Sequence, residues 1–399
     1  MTPARPFALR LALALTSPLV LAPRAPVQEP PTFDPRTAWD EIGTAFHAAC
    51  EEHGVVGASL AFVRGDAVFG MHLHGLADRE RGRAVDADTI FHWASCTKTL
   101  TGIAILQLRD RGRLTLDDRL LDHLPELRAV HDPEGALPSI TLRHLLTHSS
   151  GFRAATWPFG GDQPWHPHEP TEWSQLVAML PYTRLEFTPG ARFAYSNPGI
   201  VFLGRILEQL SGDDYEVYVD KNLLRPLGMT RSYFDLSPYH LQRHRSHSYE
   251  RKGRDAVDLG PDFDTGITVS NGGLNAPLPD LARYLVFLLG ACPLDSDAAA
   301  VLRRESLAEM FTPVLPTAAP GSAAASSERI GLCFFVQDAQ GSPVLTHTGG
   351  QRSFVSFFYV HPASGTGALG AFNTSTAGPV MAAMRRLCIE RLSLPLTPR

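Results

Sequence analysis

Strand-like runs lie at the two ends of this chain, with a long helical stretch between them. Near the N-terminus "VVGASLAFVRGDAVFGMHLHG" (residues 55–75) reads as two strands joined at Arg64, Gly65 and Asp66, a hairpin signal. Near the C-terminus "IGLCFFVQD", "PVLTHTGG", "SFVSFFYVHP" and "GALGAFNTS" are four further runs rich in β-branched and aromatic residues. Between residues 114 and 260 strand signals are sparse, and "TLRHLLTHSSG", "EWSQLVAMLPY" and "GIVFLGRILEQLSG" carry apolar residues at helical spacing. The pattern predicts an α+β fold: one antiparallel sheet of N- and C-terminal strands, flanked by helices, with a mainly helical domain inserted between them. The predicted division is 36–94 with 262–392 for the sheet domain and 95–261 for the helical domain, with a site in the cleft between the two. Flanking helices are predicted over 37–53, closed by Gly54, and over about 379–392.

With 399 residues, 44% of them hydrophobic, the chain can fill cores of that size. A net charge of -5 and the lack of any Lys/Arg-rich run argue against a nucleic-acid partner. In residues 1–31, Arg5 and Arg10 precede "LALALTSPLVLA" and a Pro-rich stretch. This reads as a secretory signal peptide or a disordered segment, and export to the periplasm or beyond is expected. No later run reaches about 18 apolar residues, so no membrane span is expected in the mature protein. The five cysteines are odd in number, widely spaced and without a C-x-x-C pair, which points to free buried thiols rather than disulfides or structural zinc. "PVLPTAAPGSAAASSE" (313–328) reads as a mobile surface loop.

The chemistry concentrates in three short motifs. "HWASCTKTLTG" (92–102) sets Ser95 and Lys98 one helical turn apart at the mouth of an apolar helix, where side chains at i and i+3 meet across about 5–6 Å. A serine hydroxyl needs a base, and lysine is one only when neutral. At its ordinary pKa roughly one lysine in 2,500 is neutral at pH 7, so the site must depress it. The helix dipole supplies at most about 1 kcal/mol, and burial with a second cation is expected to supply the rest. "YSN" adds Tyr195, a proton shuttle if a cation such as Lys98 lowers its pKa, and Asn197, suited to orient the Lys98 ammonium and meet a substrate carbonyl. "HTGG" (347–350) ends a strand, where glycines let a substrate lie flat and the Gly350 N–H joins that of Ser95 as an oxyanion hole.

Ser-x-x-Lys, Tyr-x-Asn and His-Thr-Gly in this order resemble the serine β-lactamase and penicillin-binding-protein superfamily. The likeness is greatest to the branch of class C β-lactamases, D-Ala-D-Ala carboxypeptidases, D-aminopeptidases and related esterases. It covers roughly residues 36–392 and includes "LRHLLTHSSG", "PGARFAYSNPG", "LLRPLGM" and "GGLNAPLPDLARY". The resemblance implies Ser95 as the acylated nucleophile, Lys98 and Tyr195 as the proton-transfer pair, and Asn197, His347, Thr348 and Gly350 as substrate-binding residues. Which of Lys98 and Tyr195 is the base stays open. Where relatives that hydrolyse β-lactams carry lysine, this chain has His347, and any preference for carboxylate-bearing substrates is expected to weaken as pH rises past the ordinary histidine pKa near 6.5.

The expected activity is hydrolysis of an amide or ester through a Ser95 acyl-enzyme, with a D-amino-acid peptide, a small ester and a β-lactam as candidates. No metal or organic cofactor is expected. The rival is a non-catalytic penicillin-binding-like module that recognises cell-wall peptides. Cys96 is expected to turn about 100° away from Ser95 and pack in the core. His144 with His148, His72 with His74, and "HPHE" (166–169) are read as structural in the absence of an H-E-x-x-H motif. "VSNGG" (269–273) is either a turn or the pocket edge, and Trp157, Phe159 and Trp165 are read as lining the entrance. No G-x-S-x-G elbow supports the other common serine-hydrolase architecture.

Overall fold

The computed structural model describes residues 33–152, 170–318 and 327–397. Helix α1 (Pro35–Glu52) stops just before Gly54, which takes a left-handed φ of +61°. Strands β1 (Gly57–Arg64) and β2 (Ala67–Asp78) form the predicted hairpin, with Gly65 supplying the positive φ its tight turn requires. The other strands of the main sheet are β3 (Arg83–Ala84), β4 (Leu315–Pro316), β5 (Arg329–Ile330), β6 (Phe335–Ala339), β7 (Ser342–Gln351), β8 (Phe354–His361) and β9 (Thr366–Phe372).

These nine strands run in the order β3-β2-β1-β9-β8-β7-β6-β5-β4, and every neighbouring pair is antiparallel. The junction of the two chain ends is β1 against β9, from Ala58 opposite Phe372 to Arg64 opposite Thr366. Because side chains alternate across a strand, Leu60 and Phe62 face one side and Ala61 and Val63 the other. The first side buries α1 and the C-terminal helix α5 (Gly378–Cys388) through Trp39, Ile42, Phe46, Val380 and Met384. The second side joins a larger core with helices α2 (Thr97–Asp110), α3 (Asn197–Ser211) and α4 (Leu278–Leu288). Helices therefore flank the antiparallel sheet, as the sequence predicts.

Two local predictions need correction. Within the stretch read as helix and loop, Tyr249–Lys252 and Asp255–Asp258 form a two-stranded ribbon. Its mostly charged residues hide the apolar alternation that marks a strand. Tyr233–Phe234 also adds to a small sheet with Leu274–Pro277 and Ile90–His92. In the segment read as a surface loop, Leu315–Pro316 pairs with Arg329–Ile330, and residues 319–326 lie outside the described residues.

Candidate active site

Ser95 sits in a 3₁₀ turn, Ala94–Cys96, that leads into α2. The approach to it is tightly held. The Trp93 N–H donates to the Leu274 carbonyl (2.8 Å), its indole donates to the Ala276 carbonyl (2.9 Å), and its own carbonyl accepts from Ser356 Oγ (2.9 Å). Ala94 then takes a left-handed φ of +47°, a conformation that costs a non-glycine residue on the order of 1–3 kcal/mol and persists only where its surroundings enforce it. The Thr97 hydroxyl donates to the Ala94 carbonyl at 2.6 Å and fixes the turn.

One turn into α2, Lys98 is fully buried. Its Nζ lies 3.1 Å from Ser95 Oγ and donates to the Asn271 carbonyl at 2.7 Å. Burial pulls its pKa from an ordinary 10.5 down to about 7, while the nearby Cys333 and Cys96 thiols act weakly in the other direction. Nζ also stands 5.0 Å from the centre of the Tyr195 ring, whose face attracts an ammonium by roughly 0.5–2 kcal/mol. A fall from 10.5 to about 7 represents roughly 5 kcal/mol, so desolvation wins. No second cation is among its causes.

Tyr195 is held between His148, stacked at 4.6 Å, and Phe335, parallel at 6.5 Å, and its hydroxyl interacts with Ser95. Burial pushes its pKa above the ordinary tyrosine value, contrary to the lowering expected from Lys98. A lysine driven towards neutrality supplies little field to stabilise a phenolate, and the phenol keeps its proton. His347 is buried beside the pair, its ring 6.4 Å from that of Tyr195. Its Nδ1–H donates to the Thr348 carbonyl at 2.7 Å, and Nε2 has no partner among the described residues. Burial first and the Lys98 charge second hold its pKa at about 3, not near 6.5. His347 is therefore neutral down to about pH 3, contrary to the titration near 6.5 that the sequence predicts.

Asn197 opens α3 behind its cap Ser196, whose Oγ accepts from the Gly199 N–H. Its Oδ1 is buried without a partner among the described residues, and the hydrogen bonds of Lys98 go to Ser95 and Asn271 instead. The expected Asn197–Lys98 contact is replaced by the Asn271 carbonyl, from the "VSNGG" turn. On β7, a Cβ at Gly349 would lie 2.2 Å from the Trp93 carbonyl, so this glycine seats the strand against the turn that carries Ser95. Gly350 is exposed, with open space where its Cβ would be.

Three further participants carry no local signal. His148 has a φ of +50°, which removes it from the helix of His144. Its Nδ1 accepts from the Ser196 N–H at 3.1 Å, and burial holds its pKa well below the ordinary value. His92 Nε2 and Gln351 Oε1 meet at 3.0 Å. Cys96 points to Ser356 Oγ and the His347 carbonyl, and burial raises its pKa to about 12, as befits a core thiol. All five cysteines are free. Among the described residues no three His, Cys, Asp or Glu side chains are grouped to hold a metal, and no helix is long and apolar enough to cross a membrane. Trp157, Phe159, Trp165 and residues 166–169 lie outside the described residues.

The chain has known relatives in sequence and in fold. Esterase EstB of Burkholderia gladioli is 32% identical over 197 residues, 47% of this chain and 49% of EstB. The chain spans about half the length of the curated relatives it matches. Among solved structures, an octameric penicillin-binding protein homologue from Pyrococcus abyssi superposes with a TM-score of 0.74 at 26% identity, over 88% of this chain and 77% of that one. A D-stereospecific amidohydrolase from Streptomyces sp. gives 0.67 at 25% identity, over 86% and 98%. The Beta-lactamase family model matches residues 28–391, a span that takes in the whole sheet and every motif above, and the chain therefore belongs to the β-lactamase family.

Proposed function

We propose that the protein is a serine hydrolase that cleaves an amide or ester through an acyl-enzyme on Ser95, with Lys98 as the base. The observation that carries this reading is the fully buried Lys98 amine, 3.1 Å from Ser95 Oγ and held at a pKa of about 7. In its neutral form Lys98 keeps one N–H on the Asn271 carbonyl and turns its lone pair to the Ser95 hydroxyl. Ser95 Oγ attacks the carbonyl carbon as its proton passes to Nζ, and the backbone N–H groups of Ser95 and Gly350 receive the oxyanion. Tyr195, a protonated phenol, donates to the departing nitrogen or oxygen and recovers a proton from Lys98. Water then attacks the ester on Ser95 and passes its proton to Lys98, which returns one to Ser95 Oγ as the acid leaves, restoring neutral Lys98 and the Ser95 hydroxyl.

The favoured substrates are D-amino-acid amides or peptides and small esters, ahead of β-lactams. The names of the relatives point this way, and so does His347, a neutral ring where a lysine would offer a fixed cation. Residues from both proposed domains contribute: Ser95, Lys98, Tyr195 and Asn197 from 95–261, and His347, Thr348 and Gly350 from 262–392. Export is part of the proposal and rests on the sequence of residues 1–31 alone, which lie outside the described residues.

The test is intact-protein mass spectrometry after exposure to p-nitrophenyl acetate, a D-alanine amide and penicillin. A mass increment in the native protein that is absent from Ser95→Ala supports the reading. An adduct that persists in Ser95→Ala places the nucleophile elsewhere.

A further inference from the structure

Helix α1 rests on β2 through imidazoles as well as through apolar side chains. His72 and His74 share a strand face opposite Leu60 and Ala58 of β1, and that face is turned to α1. His72 lies against the helix, its ring stacked on Trp39 at 4.3 Å and packed where a Cβ at Gly43 would strike it. Its Nε2–H donates to the Trp39 carbonyl at 3.1 Å. One turn beyond Gly43, His47 meets His74, with the two Nδ1 atoms 3.3 Å apart and the ring centres 5.6 Å apart. Both rings keep part of their surface in solvent, so the pair is open to a ligand from outside.

Two ring nitrogens that face each other need something between them. In the protein alone that is one proton, carried by one ring and accepted by the other. The spacing also suits a metal: two ligands at roughly 2.0–2.1 Å from a tetrahedral zinc ion stand about 3.3–3.4 Å apart, so neither nitrogen has to move far. His74 is held from behind as well. A hydrogen bond to the Val55 backbone favours a proton on its ring, and since Nδ1 faces His47, that proton belongs on Nε2. A backbone carbonyl on the second nitrogen is a common device for orienting a ligating histidine. Glu51, one turn beyond His47 on α1, favours positive charge at His74, and Asp40 favours it at His72, so the surrounding field suits a cation. Imidazole ligands select zinc, copper or nickel over magnesium and calcium, which seek oxygen.

We infer that His47 and His74 form a two-histidine site for a divalent transition-metal ion of the zinc type, which ties α1 to β2. No third His, Cys, Asp or Glu is grouped with them among the described residues, so water completes the shell. On binding, the proton between the rings passes through solvent to His47 Nε2, and both Nδ1 lone pairs go to the metal with no net proton released. The site lies on the sheet face opposite the core that holds α2, and its metal takes no part in acyl transfer.

Calorimetric titration of the full chain with zinc chloride tests this, with magnesium chloride as the control. Zinc affinity is expected to fall at least about ten-fold in His47→Gln and in His74→Gln, and the thermal midpoint to rise with zinc concentration in the native protein only. Magnesium is expected to give neither response. Long-range ¹⁵N NMR of the native protein needs no variant, because both rings lie beside Phe46, at 5.3 and 6.3 Å between centres, and are recognised by their NOEs to it. One equivalent of zinc is expected to shift Nδ1 of these two rings and to leave the proton on Nε2. Zinc affinity that stays within about three-fold of native in either variant, a magnesium response equal to that of zinc, or zinc-shifted rings elsewhere overturns the proposal.

Discussion

A lysine in water at pH 7 holds its proton, whereas Lys98, enclosed among Tyr195, Cys96 and Cys333, is brought to an even balance. Between about pH 7 and 10.5 the unfolded chain binds a proton at this position that the folded chain does not. Stability from this group therefore rises with pH across that window, and its penalty is largest below pH 7, where the fold must bury an ammonium. Lys98→Met keeps the apolar stem and removes the charge. It also orphans the Asn271 carbonyl, at a cost of about 1–3 kcal/mol against the roughly 5 kcal/mol relieved. Thermal melts at pH 6 are expected to show a higher midpoint for Lys98→Met than for the native protein, with a smaller gain at pH 9.5 and turnover reduced at least about 10³-fold. A lower midpoint at pH 6 would mean that the buried amine is not held against its charge. His347 gives a second expectation at this scale. Neutral down to about pH 3, it is expected to contribute no step to the ratio of kcat/KM for a carboxylate-bearing ester to that for a neutral one, so that any step near pH 7 belongs to Lys98 and survives in His347→Asn, and a step lost in His347→Asn would restore His347 as a titrating group.

At the scale of elements, the site is β7 pressed against the turn before α2. Gly349→Ala would drive a Cβ to 2.2 Å from the Trp93 carbonyl and 2.5 Å from Ser356 Oγ, while at Gly350 nothing lies within 4 Å. Denaturant unfolding is expected to show Gly349→Ala destabilised by about 2 kcal/mol or more and Gly350→Ala within about 1 kcal/mol of the native protein. Equal effects at the two glycines would mean that β7 does not bear on the turn. The motifs legible in the sequence are those whose chemistry is local: Ser95 and Lys98 one turn apart, Tyr195 before a capped helix, His347 to Gly350 at a strand end. The Asn271 carbonyl, His148 and the His92–Gln351 contact were not legible, because each depends on segments 48 to 259 residues apart meeting in space. The Tyr195 pKa is raised where the motif implies a lowering for a related reason, since burial outweighs the neighbouring charge and burial is not written in a motif. The strands at 249–258 escaped notice because charged residues conceal their alternation.

For the whole molecule, the sheet joins chain ends about 300 residues apart, with β1 hydrogen-bonded to β2 on one side and β9 on the other. The helical region that supplies Ser95 and Tyr195 lies between them in sequence, so the site assembles only when the ends have met. Hydrogen exchange is expected to give β1, β8 and β9 the slowest amides, opening together at the global rate. A β1–β2 hairpin that exchanges far faster than β8 would show that the ends close independently. The α+β class, the joined sheet and the flanking helices were all readable from the order of strand and helix signals, since hairpins and helices announce themselves within 20 residues. The pairing of β1 with β9 follows once both runs need a partner. The proposed chemistry requires that the fold remove enough charge from Lys98 to make Ser95 reactive. Its most direct test is the pH dependence of the pre-steady-state acylation rate with p-nitrophenyl acetate, an uncharged ester. The rate is expected to rise through a midpoint near pH 7 and to level above it, with the rise absent in Lys98→Met. A rate that climbs only near pH 10, or a midpoint near 7 that survives in Lys98→Met, would contradict the account.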